Sequence, residues 1–326
     1  MTDIFQYLEL PTYLHRKLTN KVTQLVKHWD EVIDKHKKDK TFGIQIKKDG
    51  VCSLTVIYNG HTSIWSRTGK LFTNTEELVR KIEQLDLRDG VYMGEMTCDR
   101  VSLEVLSGAV NPNRVNPLSK DLSTIPYELQ MHWFDFISVN SFIKGSSQTG
   151  FGRRFLNLSE RYRNAVKVFG GSHPDIKILP YAIVESQEHI DEYLGFAVDQ
   201  GEEGIVIRDI NADWEAGHKG WRVMKKVKGV DYDLLCIGYE EGTGKYKGKV
   251  ANLIFSWKNG LTIKCMLGKG WNHAMAEQMY YDAVMGDEAS PIGKIFQVYA
   301  LEESSKGKLR LPKVGEKRFD KDTSDV

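Results

Sequence analysis

The residues best suited to chemistry lie in short polar clusters that follow one another along the chain. Lys47-Lys48-Asp49-Gly50 sets a lysine at the end of an alternating apolar run, just before an Asp-Gly turn. After it come Ser66-Arg67-Thr68-Gly69-Lys70, Gly94-Glu95, Trp133-Phe134-Asp135-Phe136, Glu203-Gly204-Ile205-Val206-Ile207-Arg208, Lys225-Lys226-Val227-Lys228 and Arg318-Phe319-Asp320-Lys321. A lysine amine attacks an electrophile only once it has lost its proton, and neighbouring cations or desolvation promote that loss. Carboxylates such as Glu95 and Glu203 supply the oxygen ligands that hard divalent cations take. Taken singly, each cluster is as readily an ordinary turn or a solvated surface. There is no G-x-x-x-x-G-K-[ST] loop, no G-x-G-x-x-G after a strand and no H-E-x-x-H, so P-loop, dinucleotide-binding and zincin chemistry have no basis here.

Strands carry most of these clusters. Phe42, Ile44 and Ile46 alternate with Gly43, Gln45 and Lys47, the pattern of a half-buried strand. Residues 51–58 and 61–66 form the next two strands, joined by Asn59-Gly60, a hairpin-turn pair. Residues 91–97, 127–139, 204–208 and 221–227 read as further strands. Residues 18–36 read as an amphipathic helix capped by Thr19, with Val22, Leu25, Val26, Trp29, Val32 and Ile33 recurring at three- and four-residue steps. Residues 75–85, 159–169 and 187–200 are the other helices of this part. From Tyr232, short strands at 234–239, 251–257, 261–266 and 295–301 and a helix at 273–284 suit a small barrel of the OB type. The expected fold is therefore α+β: mixed and antiparallel sheets over 1–229, then a β-barrel over 230–326. The segment after Arg310 reads as a polar, mobile tail.

The 326 residues are 41% hydrophobic and 27% charged, a globular profile with room for two domains. Lys+Arg of 45 against Asp+Glu of 44 leaves a net charge of +1, which excludes a wholesale polybasic protein but not a local basic face. No apolar run approaches the ~18 residues that span a bilayer, and residues 1–10 lack the basic region of a signal peptide. A cytoplasmic protein without a membrane partner is expected. Cys52, Cys98, Cys236 and Cys265 are far apart and form no Cys-x-x-Cys pair, against a structural zinc or a disulfide framework.

The ordered set resembles the covalent nucleotidyltransferases, most closely the small ATP-dependent DNA ligases of bacteriophages and viruses, from about Phe42 to Lys321. The resemblance implies a nucleotidyltransferase (adenylation) domain followed by an OB-fold. It implies a monomeric enzyme that seals 5′-phosphate to 3′-hydroxyl at nicks in double-stranded DNA, using ATP and Mg²⁺, with Mn²⁺ as a substitute. Lys47 is then the nucleophile that forms lysyl-AMP, and Lys48 a solvated strand lysine. Glu95 accepts from a ribose hydroxyl, and Glu203 and Glu95 hold the metal. Phe134 stacks on adenine, with Phe136 on the same side by period two as the other choice. Gln45 contacts the nucleotide, and Arg67 reaches the ribose or the 5′-phosphate of the nick. Lys226 and Lys228 clamp the α-phosphate while Lys225 points away. Arg318 and Lys321 orient the pyrophosphate leaving group. Arg67, Arg153, Arg154 and the loop lysines Lys245, Lys247 and Lys249 meet the DNA backbone.

The chain departs from that family at Gln45 (often Glu or Thr), Lys48 (aromatic or apolar), Cys52 (Arg) and Met93 (Asp). Lys47, Glu95 and Glu203 are intact, and the departures bear on adenine selectivity and ribose contacts. An RNA ligase or mRNA guanylyltransferase of the same superfamily is the nearest alternative. A non-catalytic OB-fold nucleic-acid-binding protein is the other, and it would form no covalent AMP adduct.

Overall fold

The computed structural model describes residues 3–16, 22–268, 270–286, 288–300, 303–304, 307–319, 321 and 323–326. The chain divides into two compact units, Met1–Val227 and Lys228–Val326.

The first unit holds two five-stranded sheets. One has the order Leu25–His28, Lys219–Val227, Gly204–Asp209, Phe42–Lys47, Ala182–Val184. The other has the order His61–Ser66, Val51–Tyr58, Gly90–Thr97, Gln130–Ile137, Ile176–Ile178. In the first sheet Phe42, Ile44, Ile205, Ile207 and Met224 pack with Ile190 and Ala197 of the helix Gln187–Asp199. Gln45 and Lys47 alternate with those apolar residues and point the other way. The strand is covered on both faces rather than half-buried, and Gln45 is 1% exposed. Its polar alternation marks a face turned to an internal cavity, not to solvent. In the second sheet Tyr92, Trp133 and Phe136 pack with Leu78 and Ile82 of the helix Glu76–Glu83 and with Phe155 and Leu158 of the helix Phe151–Ala165.

Residues 18–36 are not one helix. Thr19 lies outside the described residues. Leu25–His28 is a strand parallel to Lys219–Val227, and Trp29–Glu31 and Asp34–His36 are single 3-10 turns. Trp29 packs edge-on against Phe42, and Val32 is buried in the same cluster. Their three-residue spacing therefore belongs to a turn folded onto a sheet, which periodicity alone reads as helix. The helix expected at 159–169 begins at Phe151, where Phe151, Phe155, Leu158 and Tyr162 form its buried face, and ends in a 3-10 turn at Val166–Phe169.

The second unit is a closed barrel of Val230–Glu241, Val250–Ser256, Thr262–Leu267, Lys313–Lys317 and Ile295–Ala300, in that order. Leu234, Leu253, Phe255, Phe296, Val298 and Val314 fill it. The expected mobile tail is thus corrected in part. Lys313–Lys317 closes the barrel, parallel to Thr262–Leu267 and antiparallel to Ile295–Ala300. Val314 is its single apolar residue, too little to register as a strand in sequence. Among the described residues no helix is long and apolar enough to cross a membrane.

Candidate active site

A cavity of about 730 Å³ is lined from both sheets of the first unit. Lys47 ends its strand opposite Gly204, so Glu203, just before that glycine, forms an ion pair with the Lys47 ammonium. A Cβ at Gly204 would sit 2.4 Å from the Lys226 carbonyl oxygen, so only glycine lets the strands close at this point. Beyond Lys47 the chain turns through Asp49-Gly50. A Cβ at Gly50 would sit 2.8 Å from Glu95 Cγ, so this turn packs directly on Glu95.

The charges here are closely coupled. Burial pushes the Glu95 carboxyl up to about 8; the Lys47 cation opposes the shift, and Glu203 and Asp49 add to it. Burial also holds the Lys225 ammonium below its ordinary range, helped by the Lys47 cation and opposed by Glu203. Two carboxylates in repulsion beside this cavity fit a divalent cation, with substrate and water completing its oxygen shell. Among the described residues no group of three or more His, Cys, Asp or Glu is placed to hold a metal by itself.

Gln45 lines the cavity, but its amide is spent inside the protein. Nε2 donates to the carbonyls of Leu179 (2.8 Å) and Phe134 (3.3 Å), and Oε1 accepts from Arg208 Nε (2.9 Å). Arg208 is buried, and its guanidinium lies 4.8 Å from the centre of the Phe134 ring. Asp135, 3.7 Å from Arg208, takes a bidentate pair from Arg154 at 2.9 Å on each oxygen. This network braces Phe134 on the cavity wall. Phe136 sits elsewhere, in the core against Tyr92. The strand bulges where Met93 pairs with Asp135 and Gly94 with Trp133, leaving Phe134 as the extra residue. The bulge breaks the two-residue period, so Phe134 and Phe136 do not share a side.

The strand Lys219–Val227 sets Lys225 opposite Val206, which is opposite Gln45, and sets Lys226 opposite Ile205. Lys225 therefore lines the cavity, and Lys226 pairs with Asp191 on the helix-covered side. This reverses the expected phase, in which Lys226 faced the site and Lys225 pointed away. Lys228 lies beyond the strand, at the start of the second unit. Lys48 also lines the cavity and pairs with Glu202 rather than standing in solvent. Arg67 is exposed at the rim. Cys52 lines the wall, and burial pushes its thiol up to about 12.

Of the cations assigned to DNA, Arg153 is exposed on its helix, whereas Arg154 is 2% exposed and committed to Asp135. Arg154 is thus a core ion-pair residue, and its place in the DNA surface is withdrawn. Lys245 and Lys247 are exposed, and Lys249 pairs with Glu277 at 2.5 Å. Arg318 and Lys321 both bind the buried carboxylate of Asp233 within the barrel unit, Arg318 at 3.0 Å. Sequence reasoning missed Lys225 and the Gln45–Arg208–Asp135–Arg154 network. Alternation alone left the phase of one strand open, and burial of arginine has no local signature.

A strand-end lysine against two glutamates, in a two-sheet unit followed by a closed barrel, is the plan of a nucleotidyltransferase (adenylation) domain with an OB-like domain. The chain belongs to the ATP-dependent DNA ligase family: residues 21–228 match the ATP dependent DNA ligase domain and residues 241–318 the DNA ligase OB-like domain. A probable DNA ligase of Nocardia farcinica is 28% identical over 244 residues, covering 68% of this chain and 42% of that protein. The chain spans less than half the length of the curated DNA ligases it matches. The solved structure Pmar-Lig_Pre superposes with a TM-score of 0.75 at 22% identity, covering 92% of this chain and 68% of that one. A structure from the Lig E DNA ligases gives a TM-score of 0.65 at 16% identity, covering 91% and 98%. These two share the fold.

Proposed function

We propose that this protein is an ATP-dependent DNA ligase that seals nicks in double-stranded DNA through a lysyl-AMP on Lys47. The observation that carries the reading is the Lys47 amine at a strand end on the cavity wall, among Glu203, Glu95 and Lys225. After losing its proton, Lys47 Nζ attacks the α-phosphorus of ATP. The P–N bond forms as the bond to the pyrophosphate oxygen breaks, and pyrophosphate leaves. AMP then passes to the 5′-phosphate of the nick, and the 3′-hydroxyl displaces it to close the strand. Phe134 offers its ring face to adenine, and Lys225 meets phosphate charge where Lys226 was first expected. Glu95 and Glu203 would hold a magnesium ion, which would neutralise phosphate charge when bound. Gln45 acts as a brace for Phe134 and Arg208 rather than as a contact to the nucleotide. Arg67, Arg153, Lys245 and Lys247 supply exposed cations for the DNA backbone, and Arg318 and Lys321 serve the step in which pyrophosphate leaves. A nicked duplex with 5′-phosphate and 3′-hydroxyl ends, incubated with the protein, magnesium and either ATP or NAD, tests this. Sealing with ATP and none with NAD is expected; failure to seal with ATP contradicts it.

A further inference from the structure

Residues 3–10 lie ahead of the stretch matched to the ligase domain, residues 21–228, yet they are fastened to the turn that carries Arg67. Ile4 N donates to the Gly69 carbonyl at 3.0 Å, and Asp3 pairs with Lys70 as an antiparallel bridge. The Asp3 carboxylate caps the helix Ile4–Tyr7, accepting from Phe5 N and Gln6 N at 2.9 Å each, and so fixes the helix start from which the Ile4 N–H projects. Ile4, Phe5 and Leu8 are buried in one cluster with Leu54, Val56 and Trp65 of the second sheet. The Tyr7 ring lies 5.3 Å from that of Trp65, centre to centre. Burial of three large apolar side chains anchors the segment to the sheet next to the turn.

The turn, residues 66–70, is closed on itself. Ser66 N donates to the Lys70 carbonyl and Gly69 N to the Ser66 carbonyl, each at 2.8 Å, and Ser66 Oγ accepts from Lys70 N at 3.1 Å. Gly69 is buried, so its carbonyl needs a partner inside the protein, and Ile4 N is that partner. Arg67 stands in this turn, exposed at the cavity rim. Its cation acts on the Glu95 carboxyl, opposing the upward push of burial. A long exposed side chain is aimed only as well as the backbone beneath it is held. We infer that residues 3–10 are a positioning clasp for DNA: through the hydrogen bond from Ile4 to Gly69 they hold the turn so that Arg67 meets a backbone phosphate of the nicked duplex. The inference rests on the ligase reading above, which gives Arg67 its contact with DNA.

Ile4→Pro tests this by deleting the N–H that the Gly69 carbonyl accepts. Ile4 is the first residue of its helix, a position whose backbone suits proline. Ile4→Val is the control, since it keeps the N–H and its side chain has as many carbons as that of proline. Affinity is read for a nicked duplex with a 5′-phosphate and no 3′-hydroxyl, which cannot be sealed. Active protein is counted by AMP adduct formed from ATP, so a misfolded fraction drops out. Ile4→Pro should weaken nick binding about tenfold, the size of one charge-assisted hydrogen bond, with Ile4→Val within about twofold of wild type. In the Arg67→Ala background Ile4→Pro should add nothing, because the two changes remove the same contact. Asp3→Ala, which removes only the cap, should give a milder loss that also vanishes in that background, and it decides the matter if Ile4→Pro yields no adduct. Equal losses with and without Arg67, a loss in Ile4→Val as large as in Ile4→Pro, or an Arg67→Ala that binds the nick as tightly as wild type would overturn the clasp and leave the ligase reading in place. Wild-type protein that forms no adduct overturns the ligase reading, and the inference with it.

Discussion

Lys47 and Glu203 meet because the strands that carry them pair with Lys47 facing Gly204. A slip of one residue would turn Lys47 onto the helix-covered side of its sheet, since side chains alternate with a period of two. The geometry of the site is therefore held by register.

Gly204 is where that register is most easily broken. Gly204→Ala puts a Cβ against the Lys226 carbonyl oxygen. The expected cost is about 1–3 kcal/mol in a urea melt, as for other overpacked sites, with a clear drop in AMP adduct formation. A variant as stable and as active as wild type would show that the strands tolerate a wider separation here.

The two adjacent lysines should behave oppositely. Lys225→Ala removes the cation on the cavity wall and should slow adduct formation by about a hundredfold, the usual loss of a well-placed charge at a reacting centre. Lys226→Ala breaks only the partly exposed pair with Asp191, worth less than about 1 kcal/mol, and should stay within a small factor of wild type. Single-turnover rates with ATP decide it; the reverse order would restore the phase expected from sequence.

Neighbouring arginines on one helix divide between core and surface. Arg154→Met strands the Asp135 carboxylate in the interior and should cost about 3–5 kcal/mol by chemical denaturation. Arg153→Ala should leave stability alone and reduce the slope of log DNA affinity against log salt by about 0.9, one phosphate contact. Equal melting of the two variants would refute the assignment.

His132 gives the fold a pH dependence. Burial, aided by the cations of Lys48 and Lys177, lowers its imidazole to about 4, and its ring hydrogen-bonds Thr97 at 3.1 Å. A base depressed in the folded state takes up its proton more readily in the unfolded chain. Stability is therefore whole above about 6.5 and falls as pH drops through 6.5 toward 4, by on the order of 3 kcal/mol. His132→Gln should flatten that part of the stability curve; an unchanged profile would place the titration elsewhere.

Much of the site was legible because it is written in strands. Lys47 ends one strand, Glu203 directly precedes another and Glu95 lies within Gly90–Thr97, and the structure brings these three together. What escaped depended on pairing between distant segments. The choice between Lys225 and Lys226 is one residue of phase, settled by the partner strand Gly204–Asp209. The choice between Phe134 and Phe136 is settled by a bulge that the local pattern does not announce. Residues 18–36 misled because turns packed on a sheet mimic helical spacing. The closing strand Lys313–Lys317 was hidden because a barrel needs only Val314 from it.

The central claim is that Lys47 carries the nucleotide, and peptide mapping by mass spectrometry after incubation with ATP and magnesium tests it most directly. Wild type and Lys48→Ala should each gain one AMP, on Lys47, and Lys47→Ala should gain none. AMP found on Lys48, or an adduct that persists in Lys47→Ala, would contradict the account.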